Sequence, residues 1–237
     1  MGLEFDGDKY KRASEHQKSW GKKLIAELEK FVPDGFVLGI DASESMIETA
    51  RKDHAGANVQ FELLDINAID FESEFDLVFS NATLHWVKYH RKLLRNVYKS
   101  LKNRGAARFQ FAGDGNCSNL IRILIKVMSA KKYASYFHEF DWPWYMPAVN
   151  EYRTLLDEIA STEKKVWSEN ADTYFVSAEA MTKWIDQPSL VPFLGCVAEK
   201  DKQRFRDMVV GRMIEETLQE DGMYFETFRR INVLAKK

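Results

Sequence analysis

The sequence predicts a three-layer α/β fold that carries a helical cap over one edge of its sheet. Apolar runs of strand length alternate with segments of helical periodicity as far as Gly115, which is the pattern of βαβ units and a largely parallel sheet. Beyond that point helical, aromatic-rich segments dominate. We therefore divide the 237 residues into an α/β core over 1–115 and a cap with the last strands over 116–237. Helices inserted before and between the last strands would cover the carboxyl edge of the sheet, where ligands bind.

The elements of the core are predicted from apolar runs between turn residues. The strands are FVLGID, which we expect to be buried, and then VQFELLD, FDLVFSN and AARFQFAG. Helices are predicted over HQKSWGKKLIAELEKFV, over SESMIETARK with Ser43 as its N-cap, and over RKLLRNVYKSLKNRG with its end at Gly105. In the second region, KKVWSENADTYF predicts one long strand and ETFRRINVLAKK an edge or antiparallel last strand.

Charge balance and cysteine content exclude several classes of protein. Lys and Arg number 34 against 36 Asp and Glu, so the chain lacks the overall basic footprint of a nucleic-acid binder. No apolar stretch reaches the roughly 20 residues that a membrane span needs. Cys117 and Cys196 lie far apart and match no metal spacing. We expect a cytoplasmic protein with no metal and no membrane or nucleic-acid partner, and the sequence leaves the oligomeric state open.

Two acidic residues end neighbouring predicted strands of the core. Asp41 closes FVLGID just before a helix, and Asp65 repeats the arrangement after the next strand. A carboxylate at the tip of a parallel strand is well placed to accept hydrogen bonds from a ribose diol. The alternative is that each Asp serves only as a turn or cap residue. The pair, followed by FDLVFSNATLHW, favours a nucleotide-containing ligand.

The order of VLGIDASESMIETA, FELLDIN, FDLVFSNATLHWV and RRINVLAKK resembles that of the class I S-adenosylmethionine-dependent methyltransferases. Within them the chain is similar to the trans-aconitate methyltransferase group, to which FSNATLHWVKYHRKLL and MTKWIDQPSLVPFL also correspond. The resemblance extends from Phe31 to Lys237. It implies a Rossmann-like methyltransferase sheet, S-adenosyl-L-methionine as cofactor and a small-molecule methyl acceptor, with a carboxylate favoured.

The resemblance also assigns residues to both halves of the site. On the cofactor side, it gives Asp41 the ribose hydroxyls, Asp65 the adenine amino group and Asn81 the methionine part. The walls of the adenosine pocket would be Ala42, Met46 and Ile66.

On the acceptor side, the resemblance places His85 and Trp86 where methyl donor and acceptor meet. His85 would be the catalytic base if the acceptor were a hydroxyl or an amine, whereas a carboxylate needs no base. The aromatic segment FHEFDWPWYMP supplies further candidate substrate residues, which are Trp142, Trp144 and Tyr145. It could line an acceptor pocket, stack on a cation or only anchor the cap, and Trp86 could likewise be a core residue.

One departure from the family pattern bears on activity. The family has a first strand followed by a Glu/Asp-x-Gly-x-Gly loop before the segment that matches FVLGID, and this sequence contains no such segment. Those glycines let backbone amides approach the amino-acid part of the cofactor. Gly113-Asp114-Gly115 is a lone Gly-x-Gly that we place at the substrate pocket instead. The alternative function is therefore a methyltransferase-like protein that has lost cofactor binding and serves as a binding or scaffold module. A nicotinamide-dependent enzyme is disfavoured because its fingerprint also needs the loop.

Overall fold

The computed structural model describes residues 35–54 and 58–237. The predicted helix HQKSWGKKLIAELEKFV lies outside these ranges. The strands are β1 (Val37–Asp41), β2 (Val59–Leu63), β3 (Phe75–Asn81), β4 (Leu101–Ala112), β5 (Glu163–Asn170), β6 (Thr173–Phe175), β7 (Tyr224–Glu226) and β8 (Arg229–Lys236). The α-helices are α1 (Glu44–Asp53), α2 (His90–Ser100), α3 (Ser118–Met128), α4 (Val149–Asp157), α5 (Ala178–Trp184), α6 (Val191–Leu194) and α7 (Glu199–Thr217).

The strands form a four-stranded sheet and two pairs. The larger sheet has the order β3-β4-β8-β5, with β3 parallel to β4 and with β8 antiparallel to both of its neighbours. β1 and β2 form a parallel pair, and β6 and β7 form an antiparallel pair. Within the described residues β1 therefore does not pair with β3. The α/β class is confirmed, but the parallel strands fall into two hydrogen-bonded groups.

β1 is less buried than the sequence predicts. Val37 is 47% exposed and Phe36, just before it, is 57% exposed, whereas Phe109 and Val233 in β4 and β8 are fully buried. An interior parallel strand is covered by neighbours on both edges and by helices on its faces. β1 has β2 on one edge, and no other described strand pairs with it. The prediction of a buried first strand is thus wrong for the described part of the chain.

Two apolar clusters hold the larger sheet and the cap. The first packs one face of β4 and β8 against α2 and α4, with Leu93, Phe109 and Val233 among its fully buried members. The second joins α3, α5, α6 and α7 through residues such as Leu124, Phe193 and Val209. The cap thus has a core of its own, built from the helical segments that follow β4.

Three predicted element boundaries need correction. The helix α2 ends at Ser100, not at Gly105, because Leu101 already pairs with Phe75 of β3. The predicted strand KKVWSENADTYF is broken into β5 and β6, which belong to different sheets, at the point where Asp172 accepts a hydrogen bond from the amide of Phe228. The last strand is antiparallel, as predicted, but it lies inside the sheet between β4 and β5 and is not an edge. Ser43 caps α1 as predicted.

Candidate functional site

The carboxyl end of β1 leads directly into the capped helix α1. Asp41 is half-buried, and its Oδ1 accepts a hydrogen bond of 2.9 Å from the amide of Ser43. Ser43 in turn accepts one from the amide of Met46 through its Oγ. Ala42 between them is exposed. The turn thus fixes Asp41 at the end of the strand, with the N-terminal amides of α1 beside it.

The loop after β2 brings the second predicted acid to the same end of the pair. Because β1 and β2 are parallel and Asp41 is in register with Leu63, Asp65 follows only two residues beyond the level of Asp41. Asp65 is exposed, and its Oδ1 accepts a hydrogen bond of 2.8 Å from the amide of Asn67. Ile66 packs at the margin of the core under α2. The two acids therefore end adjacent strands at one edge, as predicted.

The end of β3 turns sharply into a short 3-10 segment, Leu84–Trp86. Asn81 is in register with Gln110 of β4, and Ala82 has a φ of 56°, a left-handed conformation that is strained for a residue with a side chain. The amide of Ala82 donates a 2.7 Å bond to the carbonyl of Gln110, which holds this turn against β4. Strained backbone of this kind clusters at functional sites.

His85 is buried in this turn and carries no charge at neutral pH. Its side chain is 8% exposed, and its Nδ1 makes no hydrogen bond to any of the described residues. Burial and then the positive charge of Arg230 lower the pKa of His85 from 6.5 to about 3. The imidazole is therefore a neutral hydrogen-bonding group with one ring nitrogen still available.

A second buried histidine supports the turn. His90 at the start of α2 places Nε2 at 2.9 Å from the carbonyl of Leu84 and Nδ1 at 3.0 Å from the hydroxyl of Tyr152. Since a carbonyl only accepts, Nε2 carries the proton and Nδ1 accepts from Tyr152. Burial lowers the pKa of His90 to about 4. The Tyr145 ring packs against that of His90 at a tilt, with centroids 4.6 Å apart, and the Tyr145 amide donates to the carbonyl of His85, so this predicted substrate residue contacts the same turn.

The predicted tryptophans lie together at the boundary between this turn and the cap. Trp86 lies edge to face with Trp144 at 5.8 Å, and Trp142 lies edge to face with Trp144 at 5.5 Å. Trp144 is buried against Phe193 in the core of the cap, whereas Trp86 and Trp142 are half-buried. Trp86 and Trp142 can therefore both pack against the cap and contact a substrate, whereas Trp144 mainly packs in the core of the cap.

Arg230 is not among the predicted site residues, because RRINV is equally consistent with solvated arginines on the last strand. Arg230 is only 3% exposed and lies opposite Ala112, the last residue of β4, next to the Gly113–Gly115 turn. Burial of an arginine was not evident from RRINV, because it depends on β8 lying inside the sheet. The signal that could have been read is the alternation of RRINV, in which Arg230 and Asn232 share the face opposite Ile231 and Val233.

The predicted site residues, together with Arg230, thus fall into two groups. Asp41, Asp65 and their turns lie at the end of the β1–β2 pair. His85, Arg230 and the tryptophans lie around the carboxyl ends of β3 and β4. In the described ranges, no group of three His, Cys, Asp or Glu side chains is arranged to hold a metal ion, and no helix there has the length and apolarity to cross a membrane.

Comparisons with known proteins agree with this arrangement. A family model described as a methyltransferase domain matches residues 21–109. The chain is 27% identical over 209 residues to an uncharacterized methyltransferase of Schizosaccharomyces pombe, covering 85% of this chain and 78% of that one. It is 26% identical over 217 residues to the trans-aconitate 2-methyltransferase of Deinococcus radiodurans, covering 90% and 81%.

A solved structure of loganic acid methyltransferase with S-adenosylhomocysteine shares the fold of this chain. The TM-score is 0.68 at 10% identity, with 100% of this chain and 99% of the other covered. The family match covers β1 to β3 and most of β4, and it includes both strand-end acids and the turn that carries His85. The chain is thus similar in sequence to methyltransferases and shares the fold of one solved with S-adenosylhomocysteine.

Proposed function

We propose that this protein transfers a methyl group to a carboxylate of a small molecule. The observation that carries the proposal is the state of His85, whose pKa of about 3 makes it a poor base near neutral pH. A hydroxyl acceptor must lose a proton as it is methylated, and an amine must be unprotonated to attack and loses a proton afterwards, so both are helped by a general base. A carboxylate is already ionised and needs none. The similarity to a trans-aconitate 2-methyltransferase supports the same acceptor chemistry.

The residues at the ends of β1 and β2 would hold the sugar and base end of S-adenosyl-L-methionine, since both acids lie at the same edge. Asp41 would accept from the ribose hydroxyls and Asp65 from the adenine amino group, with Ala42, Met46 and Ile66 beside the ring. Asn81 would approach the methionine part from the end of β3. When bound, this cofactor supplies a methyl group that is strongly electrophilic because it is attached to a sulfonium.

The contribution of the chain is then alignment and exclusion of water rather than proton transfer. The strained turn at Ala82 and the amide of Tyr145 hold His85 and Trp86 in place, and Trp144 closes the turn from the cap side. Fixing two reactants in line accounts for about 7 to 11 kcal/mol of a barrier in favourable cases. The half-buried Trp86 and Trp142 would line the acceptor space as the aromatic segment predicts.

Calorimetry tests the cofactor half of the proposal. Titration of the whole chain with S-adenosylhomocysteine should show binding that Asp41→Asn weakens about 10- to 100-fold, since a charged hydrogen-bond acceptor is lost. Asp76→Asn is the matched control, because Asp76 lies at the start of β3 in an exposed 2.7 Å ion pair with Lys102. Absence of binding by the folded wild-type chain would favour the scaffold function instead.

Mass spectrometry tests the acceptor half. Incubation with S-adenosyl-L-methionine and trans-aconitate, its unsaturated dicarboxylate and monocarboxylate analogues fumarate and crotonate, and matched alcohols and amines should yield methyl esters only. Methylation of an alcohol or amine in preference to every carboxylate would contradict the proposal.

A further inference from the structure

The outer edge of the larger sheet is a strand that exposes a tryptophan. β5 ends the order β3-β4-β8-β5, and none of the described strands pairs with its outer side. Trp167 in β5 is 39% exposed, and the guanidinium of Arg108 lies over its ring, 4.8 Å from the centroid. An edge strand presents a row of backbone N–H and C=O groups that can pair with another chain. β5 is therefore a candidate surface for association.

The pairing of β5 with β8 determines which backbone groups of β5 face outward. Just beyond the paired residues, the amide of Ala171 donates a 2.7 Å hydrogen bond to the carbonyl of Phe228. In an antiparallel pair, residues bonded to the partner strand alternate with residues whose N–H and C=O point away from it. Along β5 the groups that point outward are thus those of Lys164, Val166, Ser168 and Asn170. Arg153 on α4 agrees with this, since its guanidinium donates a 3.2 Å hydrogen bond to the carbonyl of Val166.

The side chains on one face of β5 are complementary to themselves. Lys165, Trp167 and Glu169 share this face, because side chains alternate along a strand, and all three are exposed. When two antiparallel copies of a strand pair around a two-fold axis, the residue on the axis lies opposite itself. With Trp167 on the axis, Lys165 of each copy lies opposite Glu169 of the other. The pair then gains two opposite-charge contacts and one contact between tryptophans.

The neighbouring registers lack this complementarity. A shift that puts Val166 on the axis sets Glu163 opposite Glu169 of the other copy, which is a like-charge pair. A shift that puts Ser168 on the axis sets Trp167 opposite Glu169 and loses both opposite-charge contacts. The charges of β5 therefore favour one antiparallel register of this strand with a second copy of itself.

We propose that two copies of this chain associate through β5, which joins their four-stranded sheets into one continuous sheet. The guanidinium of Arg153 leaves the carbonyl of Val166, which then accepts the amide of Ser168 of the other copy. The outward groups of the two strands form about eight backbone hydrogen bonds. The interface is small and polar, so the dissociation constant lies in the micromolar range. Because the same strand of both copies meets at the axis, association closes at two copies.

Sedimentation velocity of the whole chain, from low to high micromolar concentration, tests this association. The wild type should show an equilibrium between monomer and dimer. Lys165→Glu and Glu169→Lys each turn both opposite-charge contacts into like-charge contacts and should weaken the dimer about 10- to 100-fold. An equimolar mixture of the two variants restores both contacts and should form a heterodimer about as stable as the wild-type dimer. Lys126→Glu is the control, since it reverses the charge of a lysine on α3 that is 57% exposed, and it should leave the dimer unchanged.

Three results would overturn the proposal: a wild type that stays monomeric, a dimer that both folded variants retain, and folded variants that form no heterodimer when mixed. Glu169 also accepts hydrogen bonds from Gln110 and Asn232, so hydrogen exchange on the wild type provides a test if Glu169→Lys does not fold. The amides of Val166 and Ser168 should exchange more slowly as the protein concentration rises. Exchange of these two amides that does not depend on concentration would also overturn the proposal.

Discussion

The carboxylate of Glu226 joins the end of β7 to the start of α3, and its removal should lower the stability of the protein. Glu226 is fully buried and 106 residues distant in sequence from Leu120, whose amide donates a 2.9 Å hydrogen bond to its Oε2. Its Oε1 accepts from the amides of Asn119 at 3.1 Å and Thr227 at 2.7 Å. The helix has no local side-chain cap, because Cys117 at its N-cap position is left-handed and makes no such bond. Glu226 therefore acts as a long-range cap.

The expected cost follows from these three bonds. A buried N–H left without an acceptor costs about 1 to 3 kcal/mol, and relief from burying the carboxyl group, whose pKa is raised by that burial, returns part of the cost. We expect Glu226→Ala to lower the free energy of unfolding by about 3 to 5 kcal/mol. Glu226→Gln retains one acceptor oxygen and should lose about half as much.

Urea denaturation followed by circular dichroism measures both values. Glu163→Ala is the control, since Glu163 of β5 pairs with Lys236 of β8 at the surface and its loss should leave stability unchanged within error. The reasoning fails if Glu226→Ala unfolds within about 1 kcal/mol of the wild type. The raised pKa of Glu226 also predicts the direction of the pH dependence. Because the folded state binds the proton more tightly than the unfolded state, the stability of the wild type relative to Glu226→Gln should decrease as pH rises from about 4.5.

Two further predictions concern acid stability and backbone packing. The pKa of His90 is lowered to about 4 in the folded chain. Between pH 6.5 and 4 the unfolded chain therefore binds a proton at His90 that the folded chain does not. The free energy of unfolding should fall by about 3 kcal/mol as pH decreases through this range. Urea titrations at several pH values should show this slope reduced in His90→Gln, and an unchanged slope would refute the assignment. Gly105→Ala should destabilise the protein by about 1 to 3 kcal/mol, because its Cβ would lie 2.8 Å from the carbonyl oxygen of Lys102 and 3.0 Å from that of Phe75. Gly211→Ala in the middle of α7 meets no atom within 4 Å and should stabilise by about 0.5 to 1 kcal/mol. Thermal unfolding should show a lower melting temperature for Gly105→Ala and a higher one for Gly211→Ala, and the opposite changes would contradict this reasoning.

Local patterns in the sequence predict much of this fold, and contacts between distant segments explain what they miss. FDLVFSN corresponds to β3 residue for residue, and Ser43 caps α1, because an apolar strand and an N-cap are decided by neighbouring residues. The break between β5 and β6 depends instead on Asp172 accepting the amide of Phe228, which no local pattern contains. The same holds for the end of α2, which is set by the pairing of Leu101 with Phe75.

The candidate site divides along the same line. Strand-end acids such as Asp41 can be predicted from the sequence, because a parallel sheet brings the ends of its strands to one edge. The neutral state of His85 and the burial of Arg230 could not be predicted in this way. Both depend on the residues that the fold packs around them, in β8 and in the turn after β3. The chemical character of a side chain is local, whereas its protonation is a property of the assembled fold.

Among the described strands, β1 and β2 do not pair with the larger sheet, so a cofactor that contacts both groups would also hold them together. Asp41 and Asp65 belong to one hydrogen-bonded group of strands and Asn81 to the other, so a molecule that contacts all three would tie the groups together. Part of the binding free energy would then offset the cost of holding the two groups of strands together. The measured affinity would depend on that cost as well as on the contacts with the cofactor. In that case S-adenosyl-L-methionine is a structural member of the protein as much as a reagent, and the unliganded chain should exchange the amide hydrogens of β1 and β2 well before those of β4 and β8.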